Sequence, residues 1–168
     1  MKNTYKAKTQ SGVYPRHNFL LFNNKKLSQR IKRHEGFSDK VYLDRLGNPT
    51  IGYGHLIKKN EDFKNNKKYN RKLLNYIFNK DLSKAIKDYN KIFKRHRIPK
   101  EIEEIIIEMI FQLGIKNFLK FKKMIKAIKK YNFLEAKEEM LNSRWNQQAP
   151  RRVRNLVAII DKKYEKKQ

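Results

Sequence analysis

Three side chains able to do acid–base work lie close together in the chain: Glu35, Asp44 and Thr50. The stretch that carries them reads His34-Glu35-Gly36-Phe37, then SDKVYLDRLGNPT, then IGYGHL. Two carboxyl groups and a hydroxyl suit glycoside hydrolysis. One carboxylic acid protonates the leaving oxygen, and a second group activates water or attacks the sugar. Taken singly, each residue also fits a plain structural role: Glu35 as a surface carboxylate, Asp44 as a turn residue before Gly47, Thr50 as an ordinary strand residue.

The elements that must position them follow from the local pattern. LSQRIKRHE reads as a short amphipathic helix, with Leu27, Ile31 and His34 at helical spacing and Gly36 at the stop position. Residues 41–43 read as a strand, 45–49 as a turn and 50–54 as a second strand. Glu35 then ends a helix, Asp44 ends a strand, and Thr50 opens the strand paired with it. The hairpin sets Asp44 beside Thr50 and leaves Glu35 facing them across a gap. The carboxyl end of a helix disfavours an ionised Glu35, which suits an acid. Asp44 on an exposed hairpin edge stays ionised, and the Thr50 hydroxyl can hold the water that Asp44 deprotonates.

Residues 58–69 read as a polar linker or the start of a third small strand. Leu73, Leu74, Ile77, Phe78, Leu82, Ala85, Ile86 and Tyr89 recur at helical steps, so 70–94 reads as one long helix able to bridge two lobes. Ile98-Pro99 breaks the chain. A helix starting at Pro99 carries acids in its first turn and so few polar positions, up to a stop at Gly114, that it should be the most buried. Residues 117–130 form a basic amphipathic helix, with Leu119, Met124, Ile125 and Ile128 facing the core. Such a segment can also lie on an anionic membrane. Shorter helices follow over 134–141 and 151–165. The expected fold is α+β: a small hairpin-sheet lobe over about 25–69, the long helix, and a larger helical lobe over about 95–168.

The chain has 168 residues, a net charge of +26 and no cysteine. Disulfides, thiolate zinc sites and a Cys nucleophile are excluded. His17, His34 and His96 lack metal-ligand spacing, so no metal or cofactor is implied. The charge implies an anionic polymer or surface as partner. Lysines are spread along the whole chain, which argues against specific nucleic-acid recognition. Residues 1–24 read as a basic extension with one apolar patch at 19–22; no signal peptide or transmembrane span is expected. Two non-enzymatic classes stand beside the hydrolase: a cationic membrane disruptor and a nucleic-acid binder.

The spacing of Glu35, Asp44 and Thr50, followed by Ile51-Gly52-Tyr53-Gly54-His55-Leu56, resembles the catalytic signature of the phage-type lysozymes, the T-even bacteriophage lysozyme family. Phe78-Asn79-Lys80-Asp81, Met109 to Gly114, and Ser143-Arg144-Trp145 with Gln148, Pro150 and Arg152 match three further blocks in the same order. The resemblance covers about residues 25–157. It implies a lysozyme-like two-lobe fold and a muramidase that cuts the β-1,4 bond between N-acetylmuramic acid and N-acetylglucosamine by inversion, causing bacterial lysis. Glu35 would be the general acid, Asp44 the general base or electrostatic stabiliser, and Thr50 would position water. It also implies that His55 pairs with Asp81, that Arg152 pairs with Glu35, and that Leu56, Phe111, Gln112, Trp145 and Gln148 border or support the cleft. Asn146 stands where the family often has an aromatic, and Arg151 and Arg154 add charge beside Arg152. A monomer is expected, acting on peptidoglycan and its anionic surroundings. It would be held in the host cytoplasm before release to the wall, or carried with the virion.

Overall fold

The computed structural model describes residues 25–44 and 46–165. The N-terminal extension, its apolar patch and His17 lie outside the described residues. Helix α1, Lys25–Glu35, buries Leu27 and Ile31 completely. Gly36 ends it in the left-handed region at φ 74°, and its N–H donates to the Lys32 carbonyl at 3.1 Å.

An antiparallel sheet of three strands follows, in the order β1 (Ser38–Leu43), β2 (Pro49–Gly52), β3 (His55–Leu56). Tyr42 pairs with Thr50 and Leu43 with Pro49; on the other side of β2, Thr50 pairs with Leu56 and Ile51 with His55. The second strand is shorter than the expected 50–54. Gly52 and Gly54 adopt φ 66° and 79°, conformations that leave the strand and turn the chain back into β3. The third strand thus comes at 55–56, before the polar segment. That segment is fastened at both ends: the Lys58 N–H donates to Glu61 at 2.9 Å, and the Tyr69 N–H to the Asp39 carbonyl at 2.8 Å. Between them, Phe63 packs edge-on against Tyr69.

Helix α2, Arg71–Phe93, begins at Asn70, whose side chain accepts from the Leu73 N–H at 2.8 Å. It buries Leu74, Phe78, Leu82, Ile86 and Phe93, and packs along α3, Lys100–Phe118. The face Ile102, Ile105, Ile106, Ile107, Met109, Ile110 of α3 is almost wholly covered, as its apolar run predicts. Gly114 breaks α3 (φ 72°, ψ 157°), but a last turn continues to Phe118.

The basic helix is shorter than expected. Helix α4 spans Lys122–Lys129, because residues 118–121 form a turn in which the Phe121 N–H donates to the Phe118 carbonyl at 3.0 Å. That turn puts Phe118 inside and leaves Leu119 47 % exposed, correcting its placement in the core. Met124, Ala127 and Ile128 face inward while the lysines lie on the exposed face, so the basic segment is a core helix with a solvated side. Helices α5 (Phe133–Leu141), α6 (Arg144–Gln148) and α7 (Pro150–Tyr164) complete the helical body. Helix α6 has no apolar period to announce it. It is started by Ser143, whose hydroxyl oxygen accepts from the Asn146 N–H at 3.1 Å. Among the described residues no helix is long and apolar enough to cross a membrane.

Candidate active site

Glu35 is the last residue of α1, and its Oε1 accepts from Arg152 Nη1 on α7 at 2.8 Å. Arg152 is buried and the Glu35 side chain is 17 % exposed. The other oxygen faces the glycine turn: a Cβ on Gly54 would stand 3.1 Å from Glu35 Oε2. A side chain there would press on that carboxyl, and the φ of 79° favours glycine as well.

Asp44 follows β1 and closes the hairpin turn. Its Oδ1 accepts from the N–H groups of Leu46 and Asn48, each at 2.8 Å, and the Asn48 amide reaches both carboxylate oxygens. These donors favour the anion, so the carboxyl is held below the usual range, first by the Asn48 backbone N–H and then by the Asn48 side chain. Asp44 is not directly beside Thr50. Thr50 pairs with Tyr42, and Asn48 makes the link: the Thr50 hydroxyl donates to the Asn48 carbonyl at 3.1 Å. Thr50 is 2 % exposed. With its proton committed, it offers lone pairs rather than a donor to any water held between it and Asp44. Tyr42 is also near; its phenol is pushed above the usual range by burial first, then by the charges of Glu35 and Asp44.

Glu35 and Asp44 line one cleft of about 1420 Å³. Arg30, Arg33, Arg151 and Arg152 put positive charge along it, His34 borders it, and Gln112, Trp145 and Gln148 lie in its wall. Trp145 is buried and donates from Nε1 to Gln112 Oε1 at 3.0 Å. A smaller groove of about 620 Å³ shares Leu113, Trp145 and Gln148 with the cleft and runs on past Lys120, Lys122, Lys123 and Arg144. Phe111 packs against Phe78 at 5.4 Å between ring centres, joining α2 to α3. Leu56 is 54 % exposed on β3.

His55 and Asp81 meet in a separate cluster. His55 Nδ1 lies 2.7 Å from Asp81 Oδ2, and Nε2 lies 2.9 Å from Glu61 Oε2. The histidine is 8 % exposed between two carboxylates. Its pKa is raised, first by the Asp81 hydrogen bond, against the opposing effect of burial, and also by Glu61. Burial pulls Glu61 up, but the Lys58 N–H and His55 outweigh it and the net shift is downward.

Asn48, Gly54, Tyr42 and Glu61 were not singled out from the sequence. The Asn-Pro pair and the repeated glycines in IGYGH mark tight turns, but neither says which carboxylate the turn will face. Among the described residues no group of His, Cys, Asp or Glu is arranged to hold a metal ion.

Comparison with known proteins identifies the family. The family described as Phage lysozyme matches residues 32–162. The chain is 32 % identical to probable T4-type lysozyme 1 of Dictyostelium discoideum, over 80 % of this chain and 93 % of that protein. It is 31 % identical over the same shares to probable T4-type lysozyme 2. It is also 27 % identical to the pre-baseplate central spike protein Gp5 of Enterobacteria phage T4, over 82 % of this chain and 28 % of that one. A match over most of the chain, on an α+β fold with two carboxylates in a cleft, places this protein in the phage lysozyme family, as a glycoside hydrolase that acts on peptidoglycan.

Proposed function

We propose that Glu35 is the general acid, Asp44 the general base, and Thr50 a water-positioning group in cleavage of the β-1,4 bond between N-acetylmuramic acid and N-acetylglucosamine, with inversion at the anomeric carbon. The observation that carries this reading is the contrast between the two carboxylates lining the cleft. Glu35 is partly buried, with a single guanidinium on its Oε1. Asp44 is pinned by backbone and amide donors that keep it an anion. A water donating to Asp44 and to Thr50 would keep a lone pair free for the sugar. The acid then adds a proton to the leaving oxygen as the base removes one from water, and the product anomer is opposite to the substrate's.

Arg152 orients the Glu35 carboxyl, while Gln112, Trp145 and Gln148 bound the substrate side and the adjoining groove accommodates a polymer. Phe111, His55, Leu56 and Asp81 act at a distance, by holding the sheet and α2 in place. The catalytic unit is residues 25–168, acting as a monomer on the wall and its anionic surroundings and causing lysis. It reaches the wall from the host cytoplasm or with a phage particle, and the likeness to a central spike protein supports the second route.

Clearing of a cell-wall suspension by Glu35→Gln is the test. Loss of clearing with retained binding supports hydrolysis. Undiminished clearing would favour a cationic disruptor and sink the assignment. NMR of the first product anomers tests the stereochemistry: α product is expected, and predominantly β product would overturn inversion.

A further inference from the structure

Glu108 is the one acid inside the apolar run IIIEMIF of α3, and it is fully buried. A buried carboxylate is costly unless paired and hydrogen-bonded. Its partners both come from α1, the helix that ends in Glu35. Arg30 Nε donates to Glu108 Oε2 at 2.7 Å, and His34 Nδ1 lies 2.5 Å from Oε1. Arg30 also reaches Glu104 at 3.5 Å, while its Nη2 is buried without a partner. On the far side of the imidazole, His34 Nε2 lies 3.0 Å from Asn155 Nδ2 of α7. With Glu108 ionised, Nδ1 carries the ring proton and Nε2 accepts from Asn155.

Two ties therefore run between α1 and α7 at consecutive residues. Glu35 is held by Arg152, and His34 by Asn155, with His34 anchored in turn to the core at Glu108. A single hydrogen bond to Arg152 leaves the carboxyl free to pivot with the last turn of its helix. The second tie, one residue earlier and rooted in a fully buried residue, restrains that pivot.

We propose that Glu108, His34 and Asn155 are positioning residues for this reaction: the chain Asn155–His34–Glu108 fixes the end of α1 and so the direction in which Glu35 offers its proton. The proposal rests on the assignment of Glu35 as the acid. It predicts an effect on turnover rather than on substrate binding, because the chain acts through Glu35.

The test is a kinetic series on peptidoglycan, well below the melting temperature of each variant. Glu35→Gln is run first: if it turns over normally, the assignment of the acid fails, and with it the basis of this proposal. If it is inactive, His34→Ala and Asn155→Ala should each lower kcat about tenfold while KM stays within about twofold. His34→Gln, whose amide can donate to Glu108 and accept from Asn155, should recover most of the loss. His34→Ala combined with Glu108→Gln should be no worse than His34→Ala alone, because both break one chain. Asn155 is exposed, so its variant keeps the test alive if changes at the buried Glu108 prevent folding. Wild-type kcat in folded His34→Ala and Asn155→Ala would overturn the proposal while leaving Glu35 its role. A loss confined to KM would also overturn it, making His34 a substrate contact instead. No recovery in His34→Gln would show that the imidazole itself, and not the tie, is needed.

Discussion

The Asn48 amide nitrogen lies 3.1 Å from Asp44 Oδ2 and 3.3 Å from Oδ1, while the Asn48 carbonyl accepts from the Thr50 hydroxyl. One turn residue thus holds two of the three proposed catalytic groups in register. Asn48→Ala removes the side-chain donor and keeps the backbone one. The Asp44 pKa should rise toward its ordinary value of 3.8. If Asp44 is the base, the acid limb of the pH–activity profile moves to higher pH. An unmoved acid limb would mean that another group sets it.

Gly54→Ala is expected to act on both stability and rate. A side chain at φ 79° is strained, at roughly 1–2 kcal/mol for the left-handed region. The added carbon also stands 3.1 Å from Glu35 Oε2, and displacing that carboxyl should lower kcat by on the order of tenfold to a hundredfold. Thermal melts and initial rates separate the two. A stable variant with unchanged kcat would show that Glu35 does not react from this position.

The His55 cluster makes stability depend on pH in a definite direction. The raised His55 pKa contributes stability that is fully present below its unfolded value near 6.5 and is lost as pH rises through the folded value. The lowered Glu61 pKa contributes stability that is present above about 4.5 and is lost as pH falls through its folded value. The cluster should therefore stabilise most between those two values. Asp81, 30 % exposed, still has water to fall back on, so Asp81→Asn should cost about 1–3 kcal/mol in that window and less above neutrality. Urea melts of wild type, Asp81→Asn and Glu61→Gln from pH 4 to 9 would check this. A cost that stays constant or grows with pH would contradict the pairing.

Arg33 and Arg151 line the cleft with no ion-pair partner among the described residues. On a chain of net charge +26 they should draw anionic wall polymer in quickly and release it slowly at low salt. A rate optimum in NaCl is expected, and Arg33→Gln with Arg151→Gln should move it to lower salt. A rate that does not vary from low to physiological ionic strength would count against this.

How much of this was legible in the sequence differs from residue to residue. The helix before Glu35, the hairpin after it, the long helix and the buried α3 follow from periodicity and stop residues, because each is a local pattern that the core then reinforces. The end of β2 was missed because two left-handed glycines look, in sequence, like strand positions with small side chains. Leu119 and Phe118 are adjacent and both apolar, so only the turn at 118–121 decides which goes inside. Glu61 is one acid in a polar segment, and no period says that it folds back onto His55. Glu108 did leave a mark, a lone acid within IIIEMIF, but its meaning depends on Arg30 and His34 being carried to it by a different helix.

Residues 58–69 hold a run of lysines and asparagines with no regular structure, the kind of segment that trypsin-like proteases cut first. Here the segment is a buckled strap. Glu61 closes one end onto His55 and the Lys58 N–H, and Tyr69 closes the other onto Asp39. A protease must wait for the strap to open, and the opening free energy includes the His55–Glu61 bond. That bond is strongest while the imidazole is charged. The enzyme should therefore resist nicking in mildly acidic surroundings and become easier to cut once the medium turns alkaline, with the buckle rather than the lysines setting its lifetime among proteases.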